Sequence, residues 1–196
     1  KLSGIQSVIM ENTMQVMGNE APSKTTIVNS KGYRVESEMG GQTMVQALSE
    51  KGGWMINPMM GSTIPEPMPE SMAKQAVDQL FIIPLLNYQD KSFKAELAGK
   101  EKVGESDAYR IKLISKDNAE TYFFIDAANY YLVRLQRSAE MMGQVVDNIV
   151  TYSDFKKTDY GWVVPYTTDL NIGGQFSVTS TLKNIQVNPT VDLSIF

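Results

Sequence analysis

The sequence contains no cysteine and no histidine. The first absence removes disulfides, thiolate nucleophiles and zinc–thiolate sites. The second removes Ser-His and Cys-His pairs and every imidazole metal ligand. Cysteine-free chains occur both in cell envelopes and in the cytosol, so the compartment stays open. Long apolar runs are missing too. The longest, Phe81-Ile82-Ile83-Pro84-Leu85-Leu86, holds a proline and falls far short of the roughly 20 residues a membrane-spanning helix needs. No charged segment with a hydrophobic signal core opens the chain, so any leader is expected upstream of Lys1. Neither sign of charge dominates. Eighteen basic and twenty-two acidic residues, interspersed, give a net charge of -4, which argues against a dominant nucleic-acid contact. Gly-x-Ser-x-Gly elbows and phosphate-binding glycine loops are also absent.

What is present is 196 residues of which 42% are hydrophobic, enough for one domain burying roughly 70% of its unfolded surface. Alternation begins at once over residues 5–17, with Val8, Met10, Asn12, Met14 and Val16 on one side and Ile5, Ser7 and Ile9 on the other. Strands are expected at 25–29, 33–39, 44–49 and 54–57, separated by short Gly-containing turns that imply antiparallel neighbours. Residues 58–69 carry four prolines and read as a surface loop. Over 72–81, Met72, Ala73, Ala76, Val77, Leu80 and Phe81 recur at helical spacing opposite Lys74, Gln75, Asp78 and Gln79. Seven further strands follow, at 93–100, 109–115, 120–126, 132–138, 145–152, 162–170 and 176–187. The total is eleven or twelve strands with one or two helices. So long an antiparallel sheet must cover its apolar face with a second layer, a closed barrel or a ligand cavity.

Five of the twelve methionines, Met55, Met59, Met60, Met68 and Met72, crowd around the proline-rich loop. Methionine's plasticity suits either a variable ligand or gap-filling in a core. The carboxylate pairs Glu36/Glu38 and Asp154/Asp159 lack the spacing of a calcium loop and read as solvated strand positions. Lys91, Lys94, Lys100 and Lys102 read as a protected sheet edge. Trp54 and Trp162 fit core positions better than pocket walls.

Several phrases, in order along the chain, resemble the LolA/LolB superfamily of outer-membrane lipoprotein-sorting proteins. They are Ser49-Glu50-Lys51-Gly52-Gly53-Trp54-Met55-Ile56-Asn57-Pro58, then Phe124-Ile125-Asp126 leading to Leu132-Val133-Arg134-Leu135, then Tyr152-Ser153-Asp154-Phe155 with Gly161-Trp162-Val163-Val164-Pro165, and the closing Asn188-Pro189. The resemblance implies a mainly β (α+β) fold, in which a curved antiparallel sheet forms an unclosed β-barrel with a helical lid. It implies a single domain over 1–196, with that family's first helix upstream. It implies a non-enzymatic periplasmic or outer-membrane-associated protein, without cofactor or metal, taking lipid or lipoprotein acyl chains in a hydrophobic cavity. A lipid anchor would lie upstream. Met10, Met14, Met44, Trp54, Ile56, Met72, Leu80 and Phe81 are the expected lining. An envelope protein is the alternative partner, and a carboxylate-only hydrolase using Asp126 or Asp154 a third reading. One departure stands out. Transport members place a lid-holding arginine just before the strand of Tyr33-Arg34-Val35, where this chain has Ser30-Lys31-Gly32.

Overall fold

A computed structural model describes residues 2–16, 18–86, 88–116, 118–141 and 144–196. Thirteen strands carry the fold: β1 (Ser7–Val16), β2 (Asn19–Val28), β3 (Gly32–Met39), β4 (Gln42–Ser49), β5 (Gly52–Ile56), β6 (Glu66–Pro67), β7 (Lys94–Val103), β8 (Ser106–Ile114), β9 (Glu120–Asp126), β10 (Leu132–Met141), β11 (Gln144–Lys157), β12 (Val163–Ile172) and β13 (Phe176–Val187). Among the described residues one α-helix, α1 (Glu70–Gln75), is joined by short 3-10 turns, among them Pro58–Met60, Val77–Leu80 and Tyr88–Lys91. The hydrogen-bonded strand order is β6-β5-β4-β3-β2-β1-β13-β12-β11-β10-β9-β8-β7, so the ladder ends in two edges and is not closed. The chain divides into two compact units. The first is Lys1–Pro84, Lys157–Val163 and Thr181–Phe196, the second Leu85–Lys156 and Val164–Ser180.

Three expectations need correction. β2 starts at Asn19, earlier than 25, and contains Pro22. Pairing with β3 stops at Ser23↔Ser37, so Pro22 has only β1 beside it and its missing N–H breaks no bond to β3. The loop 58–69 is not wholly irregular: β6 pairs with β5 through Trp54↔Pro67 and Met55↔Glu66, an edge position where proline is tolerated. The helix expected over 72–81 is a six-residue α-helix followed by a 3-10 turn. No side-chain cap holds its start at Pro69. The tighter winding after Ala76 rotates the chain out of 3.6 phase. Met72 is therefore 42% exposed while Asp78, assigned to the polar face, is buried at 8%.

The β3–β4 hairpin shows how locally the register is set. Gly40 and Gly41 both have positive φ (59° and 76°), the type I′ geometry for a two-residue loop, and Met39↔Gln42 closes it.

Directly paired residues share a face, so the registers map each unit. In the first unit Val8, Ile27, Tyr33, Leu48 and Gly53 form one row across five strands. Against that row pack Met68, Ala76 and Leu80, with Ala73, Val77 and Phe81 beside them. Ile5, Val8 and Ile27 continue the cluster, with Met10, Ile82, Trp162 and Val187 around it. In the second unit Leu97, Ile111, Phe123, Leu135 and Val150 form a row across β7–β11. Its opposite face holds buried Ala108 and Phe124 against Val103.

Candidate functional site

Charge placement singles out one surface of the first unit. Strands β1–β5 carry Glu11, Glu20, Lys24, Arg34, Glu36 and Glu38, and the registers put every one on the same face. The other face, which includes the row beneath α1, has no charged residue among those described on these strands. Beyond that first row it continues as Met10, Thr25, Val35, Gln46 and Met55, then Asn12, Ser23, Ser37 and Met44, then Met14 and Ala21. Most of these side chains are half-buried, with Ser23 and Ala21 buried.

The segment over this face is tethered at its exit. The Ser30 backbone N–H donates to the Leu80 carbonyl at 2.8 Å, and the Ile82 N–H donates to Asn29 Oδ1 at 3.3 Å. Ser30 holds a left-handed conformation (φ 63°) in the β2–β3 turn. The tether engages Ser30 of the Ser30-Lys31-Gly32 segment, whereas Arg34 lies on the charged face.

On that charged face Arg34 is fully engaged. Its Nε donates to Glu36 Oε1 at 2.8 Å, its second amino group pairs with the same carboxylate, its NH1 donates to the Ile195 carbonyl at 2.8 Å, and its guanidinium stacks 5.1 Å from the Trp54 ring centroid. Residues 193–196 are thereby strapped to the charged face of β3. Asn188 fixes the start of the strap, accepting from the Gln6 N–H at 2.7 Å and donating to the Gly4 carbonyl at 3.0 Å. Near its end Asp192 accepts from Ser194 N–H and Oγ–H, which holds its carboxyl below the ordinary range.

The eight expected lining residues therefore do not share one surface. Met10, Met14 and Met44 lie on the uncharged face, and Leu80 and Phe81 on the segment packed over its first row. Trp54 and Ile56 alternate to the charged face, since Trp54 pairs with Ala47 and Ile56 with Val45. Met72 is exposed on α1. The period-2 pattern of β5 carried this information: Gly53 and Met55, not Trp54, continue the line from Leu48 and Gln46. The Asn29–Ser30 tether and the C-terminal strap went unread because each joins residues far apart in sequence.

Three of the carboxylates singled out in the sequence, Glu36, Asp154 and Asp126, have hydrogen-bond or ion-pair partners. Glu36 pairs with Arg34, Asp154 with Lys156 at 2.7 Å, and Asp126 is held low by the Ser106 side chain and then the Ala128 and Asn129 N–H groups. Lys112 is raised and Glu120 lowered by their mutual hydrogen bond.

No family model matches the sequence, and no curated protein matches it. Solved structures do match. A DUF1329 family protein from Desulfovibrio piger aligns over 97% of this chain and 89% of its own, at TM-score 0.64 and 13% identity. A domain named for outer membrane lipoprotein sorting, from Vibrio parahaemolyticus, aligns over 95% and 87%, at TM-score 0.63 and 13% identity. A LolA superfamily protein from Nitrosomonas europaea aligns over 94% and 86%, at TM-score 0.63 and 11% identity.

Proposed function

Taking the LolA-like fold as premise, we propose that this chain is a binding protein of the bacterial envelope, not an enzyme, and that it holds a hydrophobic ligand on the uncharged face of β1–β5. The observation that carries this reading is the segregation of charge. Six charged residues share one face of five strands, and none stands on the other. A surface kept free of charge over several rows, with a helical segment packed over the first, suits an acyl chain. Burial of that chain supplies about 25 cal/mol per Å² before ordering costs. The likeness to proteins named for lipoprotein sorting supports a periplasmic or outer-membrane-associated setting and lipoprotein acyl chains as one source of ligand. With Arg34 committed to the strap, lid control by an arginine is replaced by the Asn29–Ser30 tether. This favours holding a ligand over handing it on.

Titration with the uncharged fluorophore N-phenyl-1-naphthylamine tests the reading. Saturable 1:1 binding is expected, weakened at least tenfold by Val35→Glu on the uncharged face and unchanged by Thr43→Glu on the charged one. Absence of saturable binding in the unmodified protein overturns it. An envelope protein as partner is the second reading. It is favoured by Leu97, 68% exposed on edge strand β7 at the end of the second unit's apolar row.

A further inference from the structure

The methionines of this chain are not used alike. Met68 belongs to the core: it is 6% exposed, and its Cε lies 3.0 Å from where a β-carbon on Gly53 would stand. Met44 and Met55 are only half-buried, on the neighbouring strands β4 and β5. Gln46 pairs with Met55, and Met44 stands two residues from Gln46 on β4, so the two methionines are diagonal neighbours on one face. The spacing of such diagonals, about 7–8 Å, is within reach of long side chains.

Two oxygen donors border this pair. Glu66 on β6 is directly opposite Met55, and among the described residues its exposed carboxylate has no ion pair. Asn57, two residues past Met55 and extended at φ -136°, keeps the same parity. Its backbone carbonyl accepts from the Ser62 N–H at 3.1 Å, which closes the following loop, whereas its Oδ1 is buried and accepts no hydrogen bond. A buried acceptor left in this state calls for a donor or a cation.

The donor set selects the kind of cation. Thioethers are soft and neutral and favour copper(I), whereas calcium and magnesium require several oxygen ligands. The cysteine and histidine on which zinc sites depend are absent from the chain. We propose that Met44 and Met55 bind one soft monovalent cation, copper(I) or its redox-inert equivalent silver(I), with Glu66 supplying the counter-charge and Asn57 Oδ1 an oxygen contact. The site lies wholly within the first unit and goes beyond the hydrophobic ligand proposed above, on which it does not depend.

The test titrates silver nitrate, in chloride-free buffer, into the intact chain labelled at its methionine methyl carbons and reads the methyl resonances by NMR. Thioethers are the only soft side-chain donors this sequence has, so the background is confined to the other methionines. The Met44 and Met55 resonances are expected to shift together and to saturate at one silver per chain. Met44→Leu and Met55→Leu, which nearly conserve volume, should each weaken the first equivalent at least tenfold, and Glu66→Gln severalfold. Met72→Leu, on α1, should leave it unchanged. Copper(I) competed against bicinchoninate without oxygen should rank the variants in the same order. Shifts spread over all the methionines without saturation, or a loss in Met72→Leu equal to that in Met44→Leu, overturn the site. Calcium or zinc moving the same two resonances as far as silver does overturns the choice of a soft cation. Binding of N-phenyl-1-naphthylamine is read separately, and its failure overturns the hydrophobic-binding function while leaving this site standing.

Discussion

The dry faces of the two units are written by the same period-2 rule and finished in different ways. In the first unit the row from Val8 to Gly53 has its own cover, and Leu48 and Leu80 fall to 3% and 5% exposure where they meet. In the second the row Leu97, Ile111, Phe123, Leu135, Val150 is more apolar, yet exposure rises from 2% at Phe123 to 68% at Leu97. Among the described residues that unit has one helical turn, Tyr88–Lys91, against β7. The charged faces differ as well. The first unit gathers its charge around Arg34 to fasten the C-terminus. The second spreads it in a ladder where Lys112 meets Glu96 and Glu120, Arg110 stacks 4.3 Å from Tyr122 and Arg134 5.5 Å from Phe124. Alternation decides which face is dry. What lies over that face decides whether it is core or binding surface.

The largest effect that separates the units comes from their most buried side chains. Phe123→Ala should cost about 3–5 kcal/mol and Leu80→Ala about 2–5 kcal/mol in urea unfolding. Both tryptophans, Trp54 and Trp162, belong to the first unit, so their fluorescence follows that unit while far-UV circular dichroism follows both. Phe123→Ala moving both signals together would join the units into one cooperative fold. A shift in circular dichroism alone would separate them. A Leu80→Ala cost well under 2 kcal/mol would make the covering segment a loose lid instead of core.

Sequence reasoning reached most of the strands because solvent on one side and side chains on the other impose alternation on every one of them. Of the expected lining, Met10, Met14 and Met44 fall on the uncharged face, and alternation with Val8 already groups Met10 and Met14 there. Trp54 and Ile56 are in the same expected lining, yet their parity against Leu48 puts them with Arg34. Met72 is 42% exposed on α1, and the helical period read over 72–81 breaks at Ala76, where winding tightens. The Ser30–Leu80 and Arg34–Ile195 bonds join positions 50 or more residues apart, and no local pattern encodes them.

A smaller effect probes the strap that only the first unit has. Gly32 lies against the Phe196 ring, and a β-carbon there would overlap it. Gly32→Ala should cost about 1–3 kcal/mol by overpacking. It should also raise amide exchange over 193–196 and alter Trp54 emission as Arg34 loses the Ile195 carbonyl. Unchanged exchange in that segment would mean that the strap is not seated on β3.

The smallest effect belongs to the second unit, which closes a hairpin with a carboxylate where the first uses glycines. Asp126 ends β9 and accepts from Ala128 N–H at 2.8 Å and Asn129 N–H at 3.1 Å, while its backbone carbonyl accepts from Tyr130, which sits at φ 62°. The Ser106 hydrogen bond and these two N–H groups favour the ionised form, so the carboxyl titrates lower in the folded chain than in the unfolded one. The unfolded state therefore binds the proton first, and Asp126 contributes stability in full above about pH 4. That contribution declines as the pH falls below this and is lost once the depressed folded value is passed. Asp126→Asn removes it, so the variant's stability should change less between pH 5 and pH 3 than the parent's. The β3–β4 hairpin, turned by Gly40-Gly41, has no carboxylate in its loop, and its amide exchange should be indifferent to the same change of pH relative to the β9–β10 turn. Equal acid sensitivity of parent and Asp126→Asn would show that the N–H groups of residues 128 and 129 do not depend on that charge.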